Sequence, residues 1–293
     1  MSERILYENL TQDAERALYQ ASHADVRGCS FEGPADGESA LKECTDIRVS
    51  GCRFLLRYPL WHTHGGILSD NTMTDACRAA LWYDHDLEIT RCSLGGIKAL
   101  RECDRVRLTD CAVNSAEFGW SCRDLTVKDC SLVSEYPFMR CERLNIDGLT
   151  MKGKYSFQYV HDAVITNSYL DTKDAFWHAR RVTVRDSVIK GEYLGWYAED
   201  LTLIRCKIIG TQPLCYVKNL LMLDCETVGC DFSFENSTVQ AEIRGDVTSI
   251  RSPAGGRIVC DGVGEILHDY APVDGSGCEI VIRSAKAKRS DMT

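Results

Sequence analysis

A repeat of 19 residues constrains the fold of this chain more than any other feature. Residues 175–212 contain the same pattern twice, so that Trp177 matches Trp196, Val182 matches Leu201 and Ser187 matches Cys206. Within each unit, apolar residues alternate with polar ones, which is typical of short half-buried strands. A fixed period with strand alternation predicts a solenoid in which each unit is one coil.

The repeat extends well beyond this doubled stretch. We number the unit so that Cys206 stands at position 13, and eleven units then cover residues 17–227. From Cys92 onward each step is 19 residues, whereas the first three steps are 23, 19 and 21 residues. The position-13 column reads Cys29, Cys52, Asn71, Cys92, Cys111, Cys130, Leu149, Ser168, Ser187, Cys206 and Cys225.

Six positions of each unit (2, 5, 8, 10, 13 and 15) hold mainly small or apolar residues and are expected to point inward. This pattern predicts three short strands per coil, and therefore an all-β parallel β-helix of about eleven regular coils. The crossover rule for parallel strands favours the right-handed form. A helical leucine-rich repeat fits less well, because no unit contains a long enough segment of helical period.

We expect one β-helix domain over residues 1–283. Residues 1–16 are predicted to form an N-terminal cap, in which residues 6–16 could form a short helix. Residues 17–227 are the regular coils, and residues 228–283 are predicted to be degenerate coils with a C-terminal cap, because an open end exposes unpaired backbone. Residues 284–293 are expected to be a tail.

Composition excludes several kinds of partner. The formal net charge of −9 gives no electrostatic footprint for nucleic acid or an anionic membrane. No run approaches the roughly 18 apolar residues of a membrane span, and the first residues contain no apolar signal segment. We therefore expect a cytoplasmic protein whose cysteines are thiols.

The chain has 16 cysteines, and eleven of them fall in the inward columns at positions 5 and 13. Their spacing matches no zinc motif, so neither a structural metal nor any other cofactor is predicted. We interpret them as small core residues. A ladder of disulfides between coils is geometrically conceivable but needs an oxidising compartment.

All five tryptophans share position 3, and further aromatic residues stand at positions 4 and 19. This arrangement predicts an aromatic strip along one side of the solenoid. Such a strip suits the apolar faces of sugar rings or a protein partner, including a second copy of the chain; alternatively, the rings pack only on one another. The candidate ligand-binding residues are Trp61, Trp82, Tyr83, Trp120, Trp177, Trp196 and Tyr197.

The main polar cluster is predicted in the third to fifth coils. The candidate catalytic residues are His62, His64, Asp84, His85 and Asp104. His62 and His64 share one face if a strand continues through them, and Asp84 occupies an inward position that needs a hydrogen bond or a cation. The set could serve metal binding or acid–base chemistry; the alternative is a solvated turn with Asp84 bonded to backbone amides.

Several segments together resemble a bacterial family of unknown function that is placed among the pectin lyase-like right-handed β-helices. They include DGESALKE, YPLW, RAALWY, KDAFWHARRVTV, IKGEYLGW, QPLCY and STVQAEIRGDVTSIRSPAGGRI, and span residues 32–267. The resemblance implies the β-helix fold but no activity. The superfamily includes polysaccharide lyases and hydrolases, but none of their catalytic patterns is found here, so no catalytic residue is transferred.

The sequence thus leaves two main hypotheses and does not decide whether the protein is an enzyme. The first is a carbohydrate-binding or carbohydrate-processing solenoid that uses the aromatic strip. The second is a non-enzymatic scaffold or interaction module that uses the same strip as an interface. A metal-dependent enzyme of another class is a third interpretation.

Overall fold

The computed structural model describes residues 3–33, 38–271 and 273–283. It is an all-β parallel solenoid of about 14 turns, which confirms the predicted fold class with a slightly larger number of turns. The register follows the 19-residue period, since Val182 pairs with Leu201 and Ile189 with Ile208. The predicted tail at residues 284–293 lies outside the described residues.

The long-strand side is formed mainly by positions 6–11 of each coil, where inward Leu, Val and Ile alternate with outward polar residues. Its strands are Ile5–Glu8, Ser22–Arg27, Thr45–Ser50, His64–Ser69, His85–Thr90, Asp104–Thr109, Arg123–Lys128, Glu142–Asp147, His161–Thr166, Arg180–Arg185, Glu199–Ile204, Leu220–Val228, Thr238–Arg244, Gly255–Cys260 and Cys278–Ile282.

The short-strand side follows position 13 in each coil. Its strands are Thr11–Gln12, Ser30–Phe31, Arg53–Phe54, Thr72–Met73, Ser93–Leu94, Ala112–Asn114, Ser131–Ser134, Thr150–Gly153, Tyr169–Asp171, Val188–Lys190 and Lys207–Ile209. Near the C-terminus, Asp246–Arg251 and Gly262–Leu267 form a separate parallel pair. The described part of the chain contains one 3₁₀ turn, Asp75–Cys77, and no helix in it is long and apolar enough to cross a membrane.

The third side differs between the two halves of the solenoid. Four coils form the predicted third strand, at Leu41–Lys42, Leu60–Trp61, Leu81–Trp82 and Leu100–Arg101. In later coils position 2 is mostly phenylalanine or glycine with a left-handed backbone, for example Phe157 at φ 60° and Gly195 at φ 78°. A left-handed residue cannot continue a strand, so the third side of these coils is a turn.

The coils bend at left-handed residues that recur at positions 4, 7 and 12. In one coil these are Tyr197, Asp200 and Arg205, with φ of 57°, 55° and 50°. Asp and Asn tolerate this conformation better than most other side chains, which accounts for the Asp-rich turns. These corners separate the outward faces of the solenoid.

The N-terminal segment differs from one prediction. The prediction of a short helix over residues 6–16 is wrong, because Ile5–Glu8 and Thr11–Gln12 form strands. These strands pair in parallel with the next coil, as shown by Ile5 opposite Ala24 and Thr11 opposite Ser30. The N-terminal cap is therefore itself a coil.

Candidate functional site

The aromatic strip lies on the third side, where side chains of successive coils stack on one another. The rings of Trp61 and Trp82 are 5.4 Å apart and nearly parallel. His178 lies 5.2 Å from Tyr197, which lies 5.0 Å from Tyr216. Because equivalent residues are one strand spacing apart, many ring faces of the strip are covered by neighbouring rings.

In the N-terminal part of the strip, one lysine and one tyrosine pack against two tryptophans. Lys42 Nζ lies 4.3 Å from the ring centroid of Trp61, and the ring of Tyr58 contacts both Trp61 and Trp82 at 5.7 Å. The indole N–H groups of Trp61 and Trp82 are enclosed without a hydrogen-bond acceptor. These two indoles stabilise each other and their neighbours, and their N–H groups are not available to solvent.

Trp120 and Trp196 are each held by a backbone carbonyl. Trp120 Nε1 donates to the carbonyl oxygen of Tyr136 at 2.6 Å, and Trp196 Nε1 donates to that of Gln212 at 3.0 Å. Tyr136 also meets Trp120 edge to face at 6.4 Å, and Tyr193 meets Trp196 in the same way at 5.4 Å. Both indoles are half-buried as a result.

Trp177 differs from the other four tryptophans, because 37% of it is exposed. Three residues before Trp61 and Trp196 stand Tyr58 and Tyr193, which cover them, but Asp174 stands at the equivalent place before Trp177. The rings that contact Trp177 are His178 at 5.9 Å and Tyr197 at 6.5 Å. Asp174 therefore leaves Trp177 uncovered.

We call Tyr159, Trp177, His178 and Tyr197 the Trp177 patch. All four side chains are exposed, and Tyr159 and Tyr197 reach 43% and 45%. Arg140 covers Tyr159 at 5.9 Å on one side of the patch. The sequence correctly grouped these rings in one strip. Tyr19 and His62, in earlier coils, are also exposed rings of the strip, but among its five tryptophans Trp177 is the exposed one.

Tyr83, the remaining candidate of the strip, is half-buried between two rings. It lies 5.2 Å from Trp82 and 5.0 Å from His62. A hydrogen bond to the Glu102 carboxylate raises the pKa of the Tyr83 phenol. Its hydroxyl is therefore already engaged within the protein.

The five candidate catalytic residues occupy three different places. His64 and His85 stack at 4.8 Å on the long-strand side, and His85 Nδ1 lies 3.8 Å from Asp104 Oδ2. His62 has a left-handed backbone with φ of 56°, so the strand begins only at His64 and the two histidines do not share a strand face. Asp84 lies inside the solenoid.

Asp84 is completely buried. The backbone N–H of Thr63 donates to its Oδ1 at 2.8 Å, whereas its Oδ2 has no hydrogen-bond partner. Burial raises the pKa of the Asp84 carboxyl well above its ordinary value, because a low-dielectric interior disfavours the charged form. The backbone contact agrees with the alternative in which Asp84 bonds backbone amides, but Asp84 is buried and not in a solvated turn.

His64, His85 and Asp104 are the members of the set that come together. Burial lowers the pKa of His85, and the neighbouring His64 lowers it further. Beside His64, Gly65 and Gly66 leave a shallow trough of about 430 Å³ on the long-strand side. Across the described residues, no group of three or more His, Cys, Asp or Glu side chains has a geometry that could hold a metal ion.

The cysteines pack as core residues. All sixteen are free thiols, and all but Cys278 are buried. Burial raises the pKa of Cys44 and of Cys77 to about 12 and that of Cys92 to about 11. The thiolate is the reactive form, so these side chains are expected to be inert at neutral pH.

Two features were missed from the sequence. One is a ladder of bidentate ion pairs at position 7, in which Arg181 donates to both Asp162 oxygens at 2.6 and 2.9 Å; Asp86–Arg105 and Asp124–Arg143 repeat it. The signal in the sequence was that position 7 alternates between Asp and Arg from one coil to the next. The other is Asp174, whose signal was a carboxylate between tyrosines in the position-19 column.

Comparison with known proteins identifies the family. A family described as "Protein of unknown function (DUF3737)" matches residues 5–281. The chain belongs to this family. This supports the family of unknown function inferred from sequence resemblance, while the placement among pectin lyase-like proteins stays a prediction. No curated protein matches the sequence.

Three solved structures show distant similarity. An alginate lyase from Paenibacillus sp. str. FPU-7 is 9% identical, with 80% of this chain and 99% of that chain covered and a TM-score of 0.41. The surface adhesin PfbA of Streptococcus pneumoniae is 8% identical, with coverages of 90% and 82% and a TM-score of 0.39. A mannuronic acid specific family 6 lyase from human gut microbiota is 8% identical, with coverages of 98% and 83% and a TM-score of 0.35. At these identities and scores the similarities carry no functional argument.

Proposed function

We propose that this protein binds carbohydrate at the Trp177 patch. The observation that carries the proposal is the exposure of Trp177 beside two exposed tyrosines. An exposed indole offers an apolar face to the C–H side of a sugar ring, and nearby polar groups can bond its hydroxyls. Arg140, whose guanidinium lies 5.9 Å from the ring centroid of Tyr159, provides such a group at the patch.

The test is calorimetric titration with hits from a glycan array, using Trp177→Ala and a matched control. Tyr169→Ala is the control, because Tyr169 is 42% exposed on the short-strand side, away from the strip. We expect Trp177→Ala to weaken binding at least about tenfold, or about 1.4 kcal/mol, and Tyr169→Ala to leave it unchanged. Equal affinity of both variants and the unaltered protein would reject the proposal.

A second candidate function is a protein interface on the same strip, including self-association. It is supported by the stack of Tyr159, His178, Tyr197 and Tyr216, in which neighbouring rings cover each other's faces. Arg140 covers one end and Tyr270 meets the other edge to face at 6.1 Å. Outward ring edges suit a protein surface, and light scattering that shows a dimer lost in Tyr197→Ala would favour this function.

We also propose a reducing, cytoplasmic location. It is supported by the number of cysteines stacked at coil spacing in the core, such as Cys111 and Cys130, because such neighbours would be liable to oxidation in an oxidising compartment. Mass spectrometry of the protein purified from its native cells, with free thiols alkylated, should find all sixteen cysteines modified after unfolding. Disulfide-linked peptides would contradict the proposed location.

A further inference from the structure

Between Tyr136 and Tyr193, the column at position 19 holds tyrosine in every coil except one. Tyr136 and Tyr155 stack at 5.0 Å, and Tyr193 continues the column two coils after Tyr155. Asp174 stands between them with the same backbone conformation, since φ is 49° at Tyr155, 50° at Asp174 and 55° at Tyr193. A short carboxylate therefore stands where the coils on either side carry a tyrosine ring.

We call the place of the missing ring the notch, and the coil spacing sets its expected width. Successive coils are about 4.8 Å apart, so the positions of Tyr155 and Tyr193 are about 10 Å apart. An intervening ring at ordinary contact needs about 4 Å on either side. The notch can therefore take one ring of a ligand, with Asp174 at its base and Trp177 beside it.

The carboxylate of Asp174 feels the nearby charges of Lys173 and Glu192 but forms no close contact with either. Within the described ranges it accepts no hydrogen bond and forms no ion pair within 4 Å, although it is only half exposed. Burial raises the pKa of this carboxyl, because desolvation disfavours its charge. A hydrogen-bond donor on a ligand would offset this desolvation, and a positively charged donor would do so most strongly.

The notch already accommodates one ammonium group. Lys173 Nζ lies 5.3 Å from the ring centroid of Tyr193 and 3.1 Å from Glu192 Oε2. An aromatic face with a carboxylate beside it is a favourable environment for a cation. Because Lys173 is 43% exposed, its side chain can move away when a ligand brings its own ammonium group.

We infer that the notch formed by Tyr155, Asp174, Trp177 and Tyr193 binds the ring of an amino sugar. The sugar ring lies against Trp177, and its ammonium group bonds Asp174 and reaches Glu192. The net charge of −9 favours approach of such a cationic ligand. This inference rests on the proposed function, since it names the sugar class that the Trp177 patch would take.

The test uses three tetrasaccharides that differ only at carbon 2: β-1,4-linked glucosamine, N-acetylglucosamine and glucose. Titrations are made below the pKa of the sugar amine. We expect the glucosamine oligomer to bind at least about tenfold more tightly than the other two. Asp174→Asn should remove this preference while leaving the weaker binding of the uncharged oligomers in place.

Lys173→Ala makes a sharper test, because it predicts a gain. Removal of the competing ammonium should increase affinity for the glucosamine oligomer and leave the uncharged oligomers unaffected. Lys190→Ala is the matched control, since Lys190 forms a similar exposed ion pair with Asp171 at 3.2 Å on the short-strand side. An unchanged affinity in Lys173→Ala would contradict the inference.

The outcomes separate this inference from the proposed function. Equal binding of all three oligomers, lost in Trp177→Ala, would overturn the amino-sugar inference and support carbohydrate binding. If none of these oligomers or the array sugars binds, the proposed function fails as well. A lysine-rich peptide that binds as tightly as the glucosamine oligomer and depends equally on Asp174 would also overturn the inference, because the notch would then recognise ammonium groups without the sugar.

Discussion

Trp61 and Trp177 occupy the same position of the repeat but have different environments. Trp61 lies in a short third strand, under Tyr58 and Lys42. Trp177 follows left-handed Phe176 and has Asp174 where Trp61 has Tyr58. One indole is packed within the protein and the other faces solvent. The difference arises from neighbours one and three residues away rather than from the tryptophan itself.

The greatest loss of stability is expected in the stack of buried phenylalanines of the later coils. Phe157 is fully buried between Phe138 at 5.2 Å and Phe176 at 5.0 Å. Phe157→Ala should lower the free energy of unfolding by about 3–5 kcal/mol, because the cavity cannot close within a stack of rings. Urea denaturation followed by circular dichroism measures this. A loss below about 1 kcal/mol would mean that the phenylalanine stack does not hold these turns together.

The second effect contrasts buried Asp84 with Ala179 and Ala198, which occupy its inward position in later coils. Burial raises the folded-state pKa of Asp84, so its stabilising contribution is full below the unfolded pKa and falls as pH rises toward the folded value. Between the unfolded and the folded pKa of Asp84, the free energy of unfolding of Asp84→Asn should therefore rise relative to that of the unaltered protein by about 1.4 kcal/mol per pH unit.

Urea denaturation across a pH series checks this prediction for Asp84. Asp174→Asn serves as the control, because Asp174 is only half-buried and should give a much smaller pH-dependent difference. Parallel curves for Asp84→Asn and the unaltered protein would show that Asp84 is ionised in the folded state.

A comparison of glycine and alanine variants tests why the third side changes from strand to turn. At Phe157, φ is 60°, so glycine should be favoured over alanine there by about 1–2 kcal/mol. At Leu81, which lies in a strand, glycine should be worse than alanine by about 0.5–1 kcal/mol. Measuring the two pairs of variants by urea denaturation should give opposite signs. The same sign at both sites would contradict the conformational explanation.

The smallest effect concerns the ion-pair ladder. Arg181→Gln removes one exposed bidentate pair with Asp162 and should shift the urea midpoint only slightly, with no shift in high salt. Arg105→Gln should shift it more, because Arg105 contacts both Asp86 and Asp104. If the two shifts are equal and persist in salt, the ladder contributes by packing rather than by charge.

The repeat predicted the fold and the register because an inward position recurs at the same place in each coil. It could not predict which coils keep a third strand, since the same inward slot accepts extended Leu81 or left-handed Phe157. For a related reason it grouped His62 with His64, whose faces are separated by the left-handed corner at His62.

The sequence likewise identified the aromatic strip but not its exposed part. Exposure depends on whether a second side chain covers the indole, and that is a property of pairs such as Tyr193 with Trp196. The substitution of Asp174 into the tyrosine column was visible in the sequence. The resulting exposure of Trp177 could be predicted only with the knowledge that the side chains at positions 19 and 3 are in contact.

The most direct test of this account is Asp174→Tyr. The backbone at Asp174 should accept tyrosine, because Tyr155 and Tyr193 adopt nearly the same φ in the adjacent coils. Hydroxyl-radical footprinting with mass spectrometry reports the accessibility of each tryptophan separately. We expect oxidation of Trp177 to fall to the level of Trp196 in Asp174→Tyr and to stay unchanged in Asp174→Asn. Undiminished oxidation of Trp177 in Asp174→Tyr would contradict the claim that this one position determines its exposure.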